Sequence, residues 1–224
     1  MEISASTVNV LKNFASINSN IVIKPGNNIM TISEAKNILA QATVQENFES
    51  SVGIYDLQEF LNILGLVDKP TVRFEEMYLN IGGRGGRELV KYYYADTEML
   101  TTPTKPIIMP KADVEFVLDL STLNALKRAA SVFGFGQVLI EPSNGAIKLS
   151  VSDPDNATAN TYSIEVDGTY NNDNFTFILN ITNLKMIPDD YRVQISSKLI
   201  SQFTSSDSNL VYWVALEKSS TYGE

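Results

Sequence analysis

The groups best suited to chemistry lie in two short segments: Asn9, Lys12, Asn13 and Ser16 in the first, and Asn124, Lys127, Arg128 and Ser131 in the second. At about 100° per residue, each set falls on one face of a helix. In the first segment the opposite stripe is apolar, formed by Val10, Leu11, Phe14 and Ile17. Ammonium, guanidinium, amide and hydroxyl groups on one face are donors for phosphate oxygens. Neither face carries a carboxylate, although acids outnumber bases 26 to 17 over the chain. A few lysines and asparagines ordinarily do no more than solvate a helix, but here the pattern occurs twice. Catalysis is disfavoured, because there is no histidine to serve as general base or triad member, and no cysteine. A histidine-free hydrolase built on paired carboxylates finds little support, since no acidic pair stands out. The chain reads as a non-enzyme that needs no cofactor and no metal.

The two segments are copies of one another. Residues 6–16 and 121–131 are identical at seven of eleven positions, at an offset of 115, which indicates a duplication. Each predicted helix is followed by two apolar runs around a turn, residues 21–32 and 138–149, and both read as β-hairpins. Further on, each half has an apolar strand leading into a second helix: residues 52–55 before 56–61, and 175–179 before 180–186. Asp56 and Asn180 are matching N-caps, and Pro188 ends the last helix. On these second helices Lys185 adds a base, whereas Glu59 departs from the pattern. Prolines 103, 106 and 110 make residues 101–112 an extended connector. The expected domains are therefore 1–100 and 113–224, each of normal size.

Other motifs have plainer readings. The run Asn80-Ile81-Gly82-Gly83-Arg84-Gly85-Gly86-Arg87 lacks a P-loop ending and lies between the strand-like segments 73–79 and 89–94, so it reads as a hairpin turn. Asp153-Pro154-Asp155-Asn156 has no downstream Glu at EF-hand spacing and reads as a turn. Alternation along Tyr92-Tyr93-Tyr94 suits sheet packing or a subunit edge better than base stacking. Ile107-Ile108-Met109 is either a local anchor or the rim of a peptide-binding pocket.

The net charge of -9 argues at face value against a nucleic-acid partner. Net charge does not locate charges, however, and an acidic exterior with a locally basic surface still holds DNA. No run approaches the roughly 20 apolar residues that span a bilayer, and residues 1–4 do not begin a signal peptide. The expectation is a soluble intracellular protein without a membrane partner.

Several stretches resemble the DNA sliding clamps of T-even-type tailed bacteriophages: Leu11-Lys12-Asn13-Phe14-Ala15-Ser16-Ile17-Asn18-Ser19, Ile54-Tyr55-Asp56-Leu57 with Phe60-Leu61 and Ile63-Leu64, Leu184-Lys185-Met186, and Val214-Ala215-Leu216-Glu217. Residues 32–50 and 68–112 do not share the resemblance. It implies an α+β fold of two tandem clamp domains, each with two helices on antiparallel β-sheets. Three chains would close head to tail into a homotrimeric ring around double-stranded DNA, contacted without sequence preference by Asn9, Lys12, Asn13, Lys127, Arg128 and Lys185. It further implies a phage DNA polymerase tethered by a short apolar peptide, an ATP-driven clamp loader, late-transcription factors as partners, and residence in the host bacterial cytoplasm. Ile107, Ile108, Met109, Val214 and Leu216 are the candidate partner contacts. Val90, Tyr92 and Tyr94 of one subunit would meet Tyr162, Ile164 and Val166 of the next. The rival reading is a self-associating β-rich structural protein that does not bind DNA, which would not require two carboxylate-free helix faces in register.

Overall fold

The computed structural model describes residues 1–83, 87–156, 158–206 and 209–223. The chain divides into two compact units, 1–106 and 107–224.

In the first unit, Ser4 stays extended and its hydroxyl accepts from the Thr7 N–H, which starts α1 (Ala5–Ile17). The helix buries Thr7, Leu11, Phe14 and Ile17, and each large apolar side chain contributes about 1.5–3 kcal/mol. Next come β1 (Ile21–Ile23), β2 (Gly26–Ile32), β3 (Ile38–Phe48) and β4 (Val52–Ile54). Asp56 caps α2 (Leu57–Leu66) by accepting from the Glu59 N–H, and α2 packs against α1. The unit ends in an antiparallel sheet of β5 (Thr71–Phe74), β6 (Tyr78–Gly82) and β7 (Leu89–Tyr93), with β6 in the middle.

The second unit opens with β8 (Val114–Leu118) and α3 (Leu120–Phe133), the counterpart of α1. There follow β9 (Gln137–Ser143), β10 (Ala146–Val151), β11 (Tyr162–Val166), β12 (Gly168–Tyr170) and β13 (Phe175–Asn180). The last strands are β14 (Tyr191–Ser196), β15 (Ile200–Ser205), β16 (Leu210–Ala215) and β17 (Thr221–Tyr222). Two antiparallel layers result, one ordered β11-β10-β9-β13-β17 and one in which β12, β8, β14, β15 and β16 are successive neighbours. No helix among the described residues is long and apolar enough to cross a membrane.

Three elements depart from the sequence reading. Residues 138–149 form the expected hairpin, turned at Asn144 and Gly145, whose φ angles of 47° and 90° suit an Asn-Gly turn. Residues 21–32 do not. There β1 pairs with β4 and β2 pairs with β3, because Gly26 at φ 111° and a bulge beside it carry β2 away from β1. The run 73–79 is not one strand but the end of β5 and the start of β6, joined by a turn in which the Glu75 N–H donates to the Tyr78 carbonyl.

The third correction concerns the expected helix at 180–186, which is a single 3-10 turn, Ile181–Asn183, capped by Asn180. Beyond it the chain has no regular secondary structure, and Leu184 and Met186 are buried two residues apart, a strand-like rather than helical spacing. Two hydroxyls grip the backbone of Ile187: that of Tyr212 accepts from its N–H at 3.1 Å, and that of Tyr191 donates to its carbonyl. With Pro188 following, no helix can continue here. The fold is α+β with antiparallel sheets, and among the described residues it has three α-helices rather than four.

Candidate nucleic-acid interface and subunit edges

On α1, Asn9, Lys12 and Ser16 are exposed and Asn13 is half-buried. On α3, Asn124, Arg128 and Ser131 are exposed and Lys127 is half-buried. The described residues contain two ion pairs, Lys148–Glu141 and Arg192–Glu115, so Lys12, Lys127 and Arg128 are bound to no carboxylate. Burial pushes the Lys127 ammonium below the usual lysine range, leaving Lys12 and Arg128 as the better solvated cations. Lys185 is exposed, but it lies in the loop before β14 rather than on a helix. The exposed side of α2 offers Gln58, Glu59, Asn62 and Leu66, so it adds no cation.

Carboxylates fix both cation-bearing helices at their N-termini. Glu46 points inward from β3, 7% exposed, and accepts from the Ser4 N–H at 2.5 Å and from the Thr7 hydroxyl. Burial opposes its ionisation. The Ser4 N–H and the Thr7 and Ser4 hydroxyls outweigh that and hold the carboxyl below its ordinary value. At α3, Asp119 accepts from the Thr122 N–H at 2.6 Å and from the Ser121 hydroxyl, and these bonds keep it below the usual carboxylate range. Asp190, arriving from the loop before β14, accepts from the Leu120 N–H at 2.7 Å. Negative charge at a helix N-terminus is favourable. The C-terminus of α3 is closed by Gly134 in the left-handed conformation, φ 72°. Sequence reasoning missed Glu46; the available signal was a charge at an inward position of an alternating strand, between Val44 and Phe48.

Both strands expected at the subunit joint are sheet edges, β7 beside β6 and β11 beside β10. Val90 and Tyr92 are half-buried, with the Tyr92 ring against Phe60 at 5.4 Å, and the Tyr94 hydroxyl donates to the Glu75 carbonyl. On the other face of β7 lie Leu89, Lys91 and Tyr93, with Leu89 70% and Tyr93 63% exposed. Tyr162, Ile164 and Val166 are half-buried, and Ser163 and Glu165 exposed. Tyr162 closes an open groove with Ala125, Ala129, Val132 and Phe133 of α3. Val132, 79% exposed, was also missed; an apolar residue one turn beyond Arg128 on a polar face was the clue. Of the apolar candidates, Ile108 is 85% exposed, with Ile107 and Met109 half-buried. Val214 and Leu216, by contrast, are core residues at 0% and 6%, leaving no side chain for a partner to grip. Asp153 closes a turn by accepting from the Asp155 N–H and, through its carbonyl, the Asn156 N–H. Residues 84–86 of the glycine-rich run lie outside the described residues; the strands flanking that run, β6 and β7, pair as a hairpin.

A helix with a donor-lined face set on antiparallel sheet, built twice in one chain, is the fold of the sliding clamps. PCNA from Thermococcus kodakaraensis superposes with a TM-score of 0.69 at 14% identity, over 95% of this chain and 96% of that one. A Helicobacter pylori beta clamp superposes at 0.68 with 16% identity, over 100% of this chain and 68% of that one. Residues 4–98 match the family of DNA polymerase processivity factors, and residues 115–218 match the gp45 sliding clamp, C-terminal family. The chain is 31% identical to the sliding clamp of Vibrio phage KVP40 and 32% identical to that of Enterobacteria phage T4. Those alignments take in 97% and 99% of this chain and 99% of each relative. The chain belongs to the T-even-type phage sliding-clamp family, and it is a processivity factor rather than an enzyme.

Proposed function

We propose that three copies of this chain close head to tail around duplex DNA and tether the phage replicative polymerase. The observation that carries this reading is the pair of helix faces on α1 and α3. Both lack carboxylates in a chain of charge -9, and both present cations with no ion-pair partner among the described residues. In a closed ring, topology holds the protein on DNA, so Asn9, Lys12, Asn13, Lys127, Arg128 and Lys185 need make only weak phosphate contacts that let it slide. Closure uses two of the edge strands, β7 of one copy beside β11 of the next, a heterologous interface whose rotation returns to its start. In this assembly residues 1–100 and 113–224 are the repeated modules and 101–112 the connector, with exposed Ile108 at the rim of the polymerase-peptide site. Tethering raises the effective concentration of a polymerase at its primer end. Loading by an ATP-driven clamp loader, contacts with late-transcription factors and action in the host bacterial cytoplasm complete the reading. The deciding experiment compares retention on circular and linearised DNA after loading. Retention on circles with rapid loss from linear ends is expected; equal retention on both, or a monomer at high concentration, refutes the ring.

A further inference from the structure

Resting on the head-to-tail reading above, we infer that Lys91 of one copy faces Glu165 of the next, and that this ion pair sets the register of the subunit joint. All strand pairs detailed within the two units are antiparallel. If β7 and β11 pair the same way with Lys91 opposite Glu165, the alternation of both strands matches residue for residue. Val90 falls opposite Val166, Tyr92 opposite Ile164, and Tyr94 opposite Tyr162, so the half-buried apolar residues of both edges share one face.

The neighbouring registers are worse. A slip of one residue sets the inner face of one strand against the outer face of the other. A slip of two one way puts Glu88 opposite Val166, Lys91 opposite Ser163 and Tyr94 opposite Asn160. The opposite slip puts Lys91 against Asp167 and requires Gly168, which is already paired with Phe116 as the start of β12.

The charges fit the same register. The Lys91 ammonium is held on the outer face of its sheet, 3.9 Å from the Tyr78 ring centroid and 5.6 Å from that of Tyr93, and takes part in neither ion pair among the described residues. Glu165 is exposed and accepts from the Ser143 hydroxyl at 2.6 Å. Its cross-strand neighbour Lys148 is committed to Glu141 at 3.0 Å. Within its bounds each edge strand therefore carries one charge, Lys91 on β7 and Glu165 on β11, of opposite sign and at matching positions.

The test is a charge swap read by sedimentation equilibrium. Lys91→Glu and Glu165→Lys should each weaken association by about tenfold per interface, and the double variant should return to within about threefold of the parent. Both positions are exposed, so each variant should keep the parent's circular dichroism. Single variants that assemble like the parent, or a double variant no stronger than the singles, overturn this register while leaving a trimeric parent and the ring reading intact. A monomeric parent sinks the ring reading itself. Because the chain has no cysteine, Lys91→Cys with Glu165→Cys should be joined into covalent trimers by a short bifunctional maleimide. Preferential joining of Tyr93→Cys with Glu165→Cys would instead reveal either parallel strands or the antiparallel register that sets Lys91 against Asp167, and either overturns the proposal.

Discussion

Replacing Glu46 by alanine should unfasten α1 from its sheet. The substitution leaves the Ser4 N–H and the Thr7 hydroxyl without their acceptor, in a site where Thr7 is 1% and Glu46 7% exposed. Hydrogen bonds to a charged group contribute about 1.5–3 kcal/mol each, and the helix N-terminus adds about 0.3–1 kcal/mol. Relief of the buried charge offsets part of that sum, leaving a net loss of about 2–4 kcal/mol. For a unit of about 100 residues this lowers Tm by roughly 10–25 °C. Gln at the same position keeps the shape and one acceptor, so its loss should be about half as large. Acid dependence separates charge from packing. The folded carboxyl sits below its ordinary value of 4.5, so its stabilisation is fully present above that value and is lost as pH falls through the lower folded value. Thermal melts of the parent should therefore fall more steeply below about pH 4.5 than those of Glu46→Gln. Parallel acid limbs for the two proteins, or an alanine variant melting within about 3 °C of the parent, would refute the reasoning.

Lys12→Glu combined with Lys127→Glu lowers the formal charge from -9 to -13, two reversals at -2 each, and should shorten retention on circular DNA by about tenfold or more without changing the trimer. Arg128→Glu alone should cost more retention than Lys127→Glu alone, because Arg128 is exposed whereas Lys127 is half-buried with a depressed ammonium. Loss of the trimer would instead assign these faces a structural role. Tyr212→Phe removes the acceptor of the Ile187 N–H and a hydroxyl beside that of Tyr191, and should cost about 1–3 kcal/mol in urea unfolding; an unchanged midpoint would mean that Leu184, Met186 and the Tyr191 hydroxyl suffice to hold the loop after β13.

What was legible in the sequence was local. The apolar stripe of Val10, Leu11, Phe14 and Ile17, with the repeat of that segment at 121–131, pointed to α1 and α3, and Asn144-Gly145 specified its hairpin because few residue pairs tolerate those backbone angles. Strand partners were less legible: Ile21, Val22 and Ile23 are buried on both faces and fit β4 as well as β2, so packing decided the pairing. The missing fourth helix was readable in part, since Leu184 and Met186 alternate and Pro188 forbids continuation, whereas the two tyrosine hydroxyls that hold Ile187 come from β14 and β16 and leave no local trace. The candidate site divides the same way. A helical wheel places Lys127 and Arg128 on one side, but only the surrounding fold makes one half-buried and the other exposed.

The placement of the acids completes the electrostatic logic of an acidic chain proposed to hold DNA. Neither α1 nor α3 contains any of the 26 carboxylates, yet Glu46, Asp119 and Asp190 bind the first backbone or hydroxyl donors of those two helices. There the charge is satisfied by N–H groups and by the positive end of the helix dipole, so its field toward the lateral face is reduced. The same carboxylates hold the helices whose faces carry Lys12 and Arg128. A face with so few cations supports only weak, salt-sensitive contact with phosphate, which a protein that merely clung to DNA could not use but a closed ring can. More lysines on these faces should therefore lengthen each contact and slow sliding, rather than improve processivity.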